Sequence, residues 1–377
     1  MTRHHLPHLE ELIILNGSTG ARNAITLLQK LKNQSDLLNI SAKFDGSPAI
    51  IFGIHPFNDK FFVSLKSFAD PCFTTQDIIL KYTENDLQNK LLCAFKYLKK
   101  YVTSGMYQGD ILFTDTSKID KTIDGTEYIT FTPNAITYAI PKNSKLAKQI
   151  ENKQFGIAVH TEFNLLDFLI ESKHNIDFET IDTNDVWAFN CETELKGLTI
   201  SDIDNLQEIL SQLGKTLNWI SGEFLKECTT NKQLNKYMLE YGNYLVKHPE
   251  AQNPVSHYQE FKRFVKHRIL KNIEQLKTPE GKANRVNQYY DFAKSISKYS
   301  HCINYTIQFQ QLISKAKQII LYRHDVADIH TFCEDAKTQH EGLVVTYENN
   351  PVKIINRNEF SLLNFKAIKQ WLNRRID

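Results

Sequence analysis

No apolar run in this chain approaches the roughly 20 residues needed to cross a bilayer, so nothing in it reads as a membrane-spanning helix. Cys-x-x-Cys pairs are missing too. The cysteines (Cys72, Cys93, Cys191, Cys228, Cys302 and Cys333) are scattered, which argues against a zinc site or a disulfide framework and for reduced thiols in a cytoplasm. There is no Gly-x-x-x-x-Gly-Lys-Ser/Thr loop, which disfavours a P-loop phosphotransferase. No local Ser-His-Asp signature points to acyl transfer. His4, His5 and His8 lack cysteine or carboxylate partners at metal-ligand spacing. The start, Met1-Thr2-Arg3-His4-His5, has no apolar core of the kind a secretory signal needs. Net charge is nearly absent, +2 over 377 residues, so any surface for nucleic acid must be local.

What is present is an ordinary globular composition, long enough for two or three domains. Charge is unevenly placed. Residues 161–210 hold 12 Asp and Glu against 2 Lys and Arg, whereas residues 211–300 hold 15 Lys and Arg against 8 Asp and Glu. The second block is either a polyanion-binding surface or a solvated helical one.

The pattern along the chain changes twice. Ala21 to Asn33 reads as a helix with Ile25, Leu27, Leu28 and Leu31 on one side. Two strands, around 37–40 and 49–52, are expected to meet at a tight Asp-Gly turn. Thr83 is the expected N-cap of a helix carrying Leu87, Leu91, Leu92, Phe95 and Leu98. β-type runs come next at 111–113, 128–131, 136–140, 156–159 and 186–189. From about Ser201 to Tyr322 the period is helical, with Phe261, Phe264, Val265, Ile269, Ile273 and Leu276 along one side and Lys262, Arg263, Lys266 and Lys271 largely on the other. Strands at 343–347 and 352–355, joined at Glu348-Asn349-Asn350-Pro351, and a closing helix at 364–374 complete the reading. Trp187, Trp219 and Trp371 are expected in the core. The division is 1–195, a helical insertion at 196–322, and 323–377.

Chemistry concentrates at Lys43-Phe44-Asp45-Gly46. Lys-x-Asp-Gly is short enough to arise by chance as a charged surface turn. It gains weight from four residues downstream of it: Lys66 at the end of a β-type run, Asp110 at the entrance of a strand in Gly109-Asp110-Ile111-Leu112-Phe113, Glu341 before Gly342-Leu343-Val344-Val345, and Lys353 inside Val352-Lys353-Ile354-Ile355. Each has a plainer reading, such as an edge-strand lysine for Lys353 and turn or loop-end carboxylates for Asp110 and Glu341.

On these residues the chain resembles the covalent nucleotidyltransferases, the superfamily of ATP-dependent DNA and RNA ligases and capping enzymes. The run around Lys43, with Gly46-Ser47-Pro48-Ala49, is similar to ligase-like proteins of tailed phages. The resemblance covers about 1–165 and 325–377. It implies an α/β (α+β) ligase-type nucleotidyltransferase fold of mainly antiparallel sheets, with the helical block inserted. By the same resemblance Lys43 is the nucleophile. Asp45, Gly46, Lys66, Asp110, Glu341 and Lys353 bind the nucleotide, Tyr138 or Phe155 stacks on its base, and Asp110 and Glu341 hold Mg²⁺ (or Mn²⁺). The chain departs from the family where it has Asp110 in place of Glu, Ile355 in place of a second lysine, Ser41-Ala42 ahead of Lys43 in place of an earlier Glu, and a long spacing from Asp110 to Glu341.

A lysine near its usual pKa of roughly 10.4 is protonated at neutral pH and cannot attack phosphorus. Lys353, a divalent metal and desolvation are expected to lower that of Lys43. The resulting expectation is an ATP-dependent polynucleotide ligase of the cytoplasm (the host's, if phage-encoded). Its partner is nucleic acid, RNA rather than DNA because little chain lies beyond Lys353 for an OB domain, and Lys262, Arg263, Lys266 and Lys271 grip phosphates. The alternatives are a catalytically silent nucleic-acid-binding protein of the same fold, or nucleotide transfer to protein or to an RNA cap.

Overall fold

The computed structural model describes residues 6–360, apart from 66, 67, 69, 167, 168, 175, 196, 272, 325, 327, 334, 335 and 359 and the side chains of 165, 166 and 169–171. The helix expected at 364–374, with Trp371, lies outside the described residues, as does Lys66. Helices α1 (Leu12–Leu15) and α2 (Gly17–Lys32) precede strands β1 (Asn39–Lys43), β2 (Ala49–Ile54) and β3 (Phe61–Leu65). Helices α3 (Thr75–Lys81) and α4 (Asn85–Leu98) lead to β4 (Met106–Thr114), β5 (Ile119–Ile123), β6 (Thr126–Phe131) and β7 (Thr137–Pro141). After α5 (Lys145–Ile150) come β8 (Phe155–Leu166), β9 (Leu169–Lys173), β10 (Ile181–Asp182) and β11 (Val186–Asn190). Six helices are next: α6 (Ile200–Asn218), α7 (Gly222–Thr230), α8 (Lys232–Lys247), α9 (His257–Leu270), α10 (Pro279–Ser295) and α11 (Ser300–Tyr322). Strands β12 (His330–Cys333), β13 (Ala336–Thr338), β14 (Gly342–Tyr347) and β15 (Asn350–Ile355) come last.

The chain forms two compact units, whose bounds differ from the expected division. One contains residues 36–196 and 321–353; the other contains 1–35, 197–320 and 354–377. The helical unit is therefore assembled from three stretches of chain, and the first 35 residues do not belong with the strands after them. The apolar side of α2, with buried Leu27, Leu28 and Leu31, packs against α6 and α7. Its period shows that α2 needs a cover, without showing which one.

The strand unit is mixed α/β with predominantly antiparallel sheets. Its largest sheet runs β10-β11-β8-β4-β2-β3, with β9 on β8, and only β11 and β8 are parallel there. Leu91, Phe95 and Leu98 of α4 join Ile50, Phe52, Ile111 and Ile157 of this sheet in one core. A second sheet runs β13-β12-β7-β6-β5 and a third β1-β14-β15. The helix at 85–98 starts one residue later than a Thr83 cap would give, with Glu84 as its N-cap. Thr74 instead caps α3: its hydroxyl accepts from Asp77 N at 3.1 Å while Asp77 Oδ2 accepts from Thr74 N at 2.9 Å.

The helical unit buries charge as well as apolar surface. Glu10, in a 3-10 turn at Leu9–Glu11, receives Lys317 Nζ of α11 on Oε2 at 2.7 Å and Arg357 Nη1 on Oε1 at 3.4 Å. Arg357 Nη1 also reaches Glu11 Oε1 at 3.2 Å, and Nη2 donates to Asn243 Oδ1. Burial works to raise the pKa of Glu10, but Lys317, His8 and Arg357 overturn it and bring it down to about 2. All six cysteines are free thiols.

Candidate active site

The site is built where the chain leaves β1. β1 and β2 are not the hairpin the Asp-Gly pair suggested: β1 pairs with β14, while β2 pairs with β3 and β4 in another sheet. Phe44 to Pro48 is thus a crossover between sheets, tied to β4 by Ser47 N to Ile111 O at 2.9 Å and Ile111 N to Pro48 O at 3.1 Å. Asp45 is an anchor of this crossover. Its carboxylate accepts from Asn134 Nδ2 at 2.9 Å and from Ala135 N at 3.0 Å, and its own N–H donates to the Tyr138 hydroxyl at 2.5 Å.

Gly46 lies against β4. A Cβ there would stand 2.6 Å from Asp110 Cβ and 2.9 Å from Ile111 O. Overpacking of this kind costs about 1–3 kcal/mol. Gly46→Ala is expected to lower the urea midpoint of the strand unit accordingly; a midpoint equal to wild type contradicts the tight seat.

The register of β1 on β14 sets Lys43 opposite Gly342. Glu341, one residue earlier, meets it, and Lys43 Nζ donates to Glu341 Oε2 at 2.5 Å. The lysine side chain keeps 23% exposure and the glutamate 7%. Asp110 sits on β4 opposite Ala49 and Ala158, with its Oδ2 3.6 Å from His160 Nε2. Glu348 and Asn349, both with positive φ, form the two-residue loop of the β14–β15 hairpin. Counting back from that loop puts Lys353 opposite Val344, on the face that Ser41 and Lys43 share. Lys43, Asp45, Gly46, Asp110 and Glu341 are brought together, with Lys353 on the same sheet face as Lys43.

The electrostatics differ from expectation. Burial works to lower the Lys43 pKa, but Glu341, Asp110 and Asp45 together raise it. Glu341 is raised as well, by burial first and against the pull of Lys43, with Asp45 and Asp110 adding to the rise. The two shifts have different leading causes, the neighbouring carboxylates for Lys43 and burial for Glu341, but both favour the protonated form, so the cluster holds on to protons. Lys43 is kept charged here, contrary to the lowered pKa expected of a ready nucleophile. Among the described residues no three His, Cys, Asp or Glu side chains form a ready metal cage. Asp110 and Glu341 are the carboxylates available to a hard cation that keeps its water.

Neither expected stacking ring is accessible. Tyr138 is fully buried between Phe44 and Phe131, with its hydroxyl raised well above its ordinary pKa by burial. Phe155 is fully buried and stacks on Tyr97. The half-buried ring beside Phe44 is Phe189, one face of which stacks on Trp187. Trp187 is in the core as expected, whereas Trp219 is 62% exposed and stacks on Tyr305. Two residues at the site, His160 and Asn134, carry no motif that marks them in the sequence. A register shift in the β4–β8 pairing, where Gln108 faces Thr161 and Gly109 faces Val159, leaves His160 as the extra residue aimed at Asp110. No local pattern announces it. Lys262 and Lys266 lie over the rings of Tyr258 and Tyr289, Arg263 pairs with Glu260, and Lys271 lies just past the end of α9.

A family model described as a family of unknown function, DUF6267, matches residues 3–369. No curated protein and no solved structure matches the chain.

Proposed function

We propose that this chain, which belongs to the DUF6267 family of unknown function, is an ATP-dependent polynucleotide ligase acting through a lysyl-AMP intermediate, with RNA as its substrate class. The observation that carries the reading is the convergence on one partly exposed amine, Lys43, of Glu341, Asp110 and Asp45. In the first step Lys43 Nζ, having lost its proton, attacks the α-phosphorus of ATP; an N–P bond forms and pyrophosphate leaves. Glu341 is the acceptor in contact with that amine. A 5′-phosphate oxygen then takes AMP from the lysine, and a 3′-hydroxyl displaces AMP to close the phosphodiester. Mg²⁺ or Mn²⁺, held by Asp110 and Glu341 with water and phosphate oxygens, would neutralise charge building on the phosphates. Lys353 would contact the α-phosphate, and Phe189 is proposed in place of Tyr138 and Phe155 as the ring with surface to offer a base.

The same ion pair supports a second reading, a catalytically silent nucleic-acid-binding protein, because a protonated lysine does not attack. Incubation with α-labelled ATP, then GTP, separates the two. Label from ATP that is lost in Lys43→Ala supports the ligase; label from GTP alone indicates capping chemistry. Absence of label from either nucleotide, in Mg²⁺ and in Mn²⁺, rejects the enzyme. Offering 5′-phosphorylated RNA and nicked DNA to the labelled protein then distinguishes ligation from transfer to protein.

Phosphate binding is proposed for Lys262, Arg263 and Lys266 of α9 and Lys271 just past it. Each phosphate contact on a single strand contributes roughly 0.7 to the slope of log K against log salt. Replacing Lys262, Arg263, Lys266 and Lys271 by Ala is expected to flatten that slope by about 3; an unchanged slope rejects the role.

A further inference from the structure

Within the helical unit, α8, α11 and the segment 355–358 line a cavity of about 320 Å³ that opens to solvent. Its wall is unlike a helix-bundle interior. A helix normally turns its apolar stripe inward, yet α11 lines this space with Gln310, Gln311, Ser314, Lys315, Lys317 and Gln318. Gln310 and Lys317 are 9% and 2% exposed. Gln311 and Ser314 are half-buried, and Lys315 and Gln318 are exposed at the mouth. Burying polar groups such as Gln310 and Lys317 adds little to stability even when they are paired, so two of them at the floor of an open cavity point to a ligand.

The hydrogen bonds indicate which chemistry is left over. Gln310 Nε2 donates to Glu10 O at 3.0 Å and Gln311 Nε2 to Gln252 O at 2.7 Å. Their amide nitrogens are committed to backbone, and their carbonyl oxygens remain as acceptors for hydroxyl groups. Lys317 is committed to Glu10, and the two terminal nitrogens of Arg357 to Glu10, Glu11 and Asn243. Arg357 Nε, buried, has no partner, and Lys315 stands exposed at the rim. Spare donors on cations suit an anion, and spare acceptors suit a polyol. None of the described residues lining the space is aromatic, so it offers no platform for a base. The volume is at the lower end of the roughly 300–1,000 Å³ of small-molecule sites.

We propose that this cavity binds a sugar phosphate, either free or as the 5′-terminal ribose phosphate of a strand. It does not depend on Lys43, so the two assignments fail separately. The full-length chain is titrated calorimetrically with ribose 5-phosphate, ribose and inorganic phosphate, in wild type and in Lys43→Ala. Saturable binding of ribose 5-phosphate is expected, at least tenfold tighter than either fragment and unchanged in Lys43→Ala. Lys315→Ala and Gln311→Ala are expected to weaken it at least tenfold while leaving the circular dichroism spectrum unchanged, and Arg357→Lys to do the same if it folds. A 5′-phosphorylated RNA tetramer that competes identifies the strand end as the source; one that does not identifies the free sugar phosphate. No saturable binding of ribose 5-phosphate, or binding indifferent to Lys315→Ala and Gln311→Ala, overturns the proposal.

Discussion

Lys43→Arg is expected to fold as wild type does and to take no label from α-labelled ATP, a loss of at least a thousandfold. Arginine keeps the positive charge and can keep the contact that Lys43 makes with Glu341. Its guanidinium, with a pKa above roughly 12, does not lose a proton in a protein and is no nucleophile. The substitution therefore separates two duties that Lys43→Ala removes together, neutralising the carboxylate cluster and attacking phosphorus. Unfolding in urea checks the first and label incorporation the second. The wild-type label should also be cleaved by acid and resist alkali, as a phosphoramidate does. Label retained in Lys43→Arg would place the nucleotide on another residue and end the lysyl-AMP reading.

The elements of the strand unit were largely legible because their alternation is local. The runs at 111–113, 128–131, 136–140 and 156–159 all fall within or against strands of the structure. What pairs with what was not legible. β1 meets β14 across nearly the whole chain, and that choice depends on which surfaces are buried together, information that no window of sequence holds. The same limit explains the Asp45-Gly46 turn. Asp-Gly favours a hairpin, but the carboxylate of Asp45 is taken by Asn134 and Ala135, and the chain crosses to another sheet.

At the site, ordered motifs pointed to Lys43, Asp110 and Glu341, and these residues do share one electrostatic neighbourhood. The sign of the Lys43 shift could not be read from them. It depends on how many carboxylates reach the amine once the strands pair, and Asp45 adds a third. The burial of Tyr138 and Phe155 was not legible, because an aromatic in a β-type run looks the same whether its strand face meets solvent or core. Nor was the exposure of Trp219.

Glu10→Gln is expected to destabilise the helical unit by about 3–5 kcal/mol at neutral pH, the usual cost of leaving a buried cation without its partner. Glu10 is 6% exposed and faces both Lys317 and Arg357. Its pKa falls from 4.5 to about 2 on folding; that gap corresponds to about 3 kcal/mol by linkage. Because the folded value is the lower one, the stabilisation is fully present above pH 4.5 and is lost as pH falls towards 2. Glu11 acts in the opposite sense: burial raises its pKa, so its contribution is present in acid and is lost as pH rises through its folded value. The difference between wild type and Glu10→Gln should therefore hold steady from pH 7 to about 5 and shrink below that. Hydrogen exchange of the α11 amides, read from pH 7 downward, tracks the helical unit without interference from the other. Replacing both Glu10 and Lys317 by residues of similar volume, Glu10→Gln with Lys317→Met, should recover much of the loss at neutral pH, because no buried lysine is then left unpaired. A gap below about 1 kcal/mol at pH 7, or one that does not narrow in acid, would mean that the carboxylate of Glu10 does not hold this cluster together.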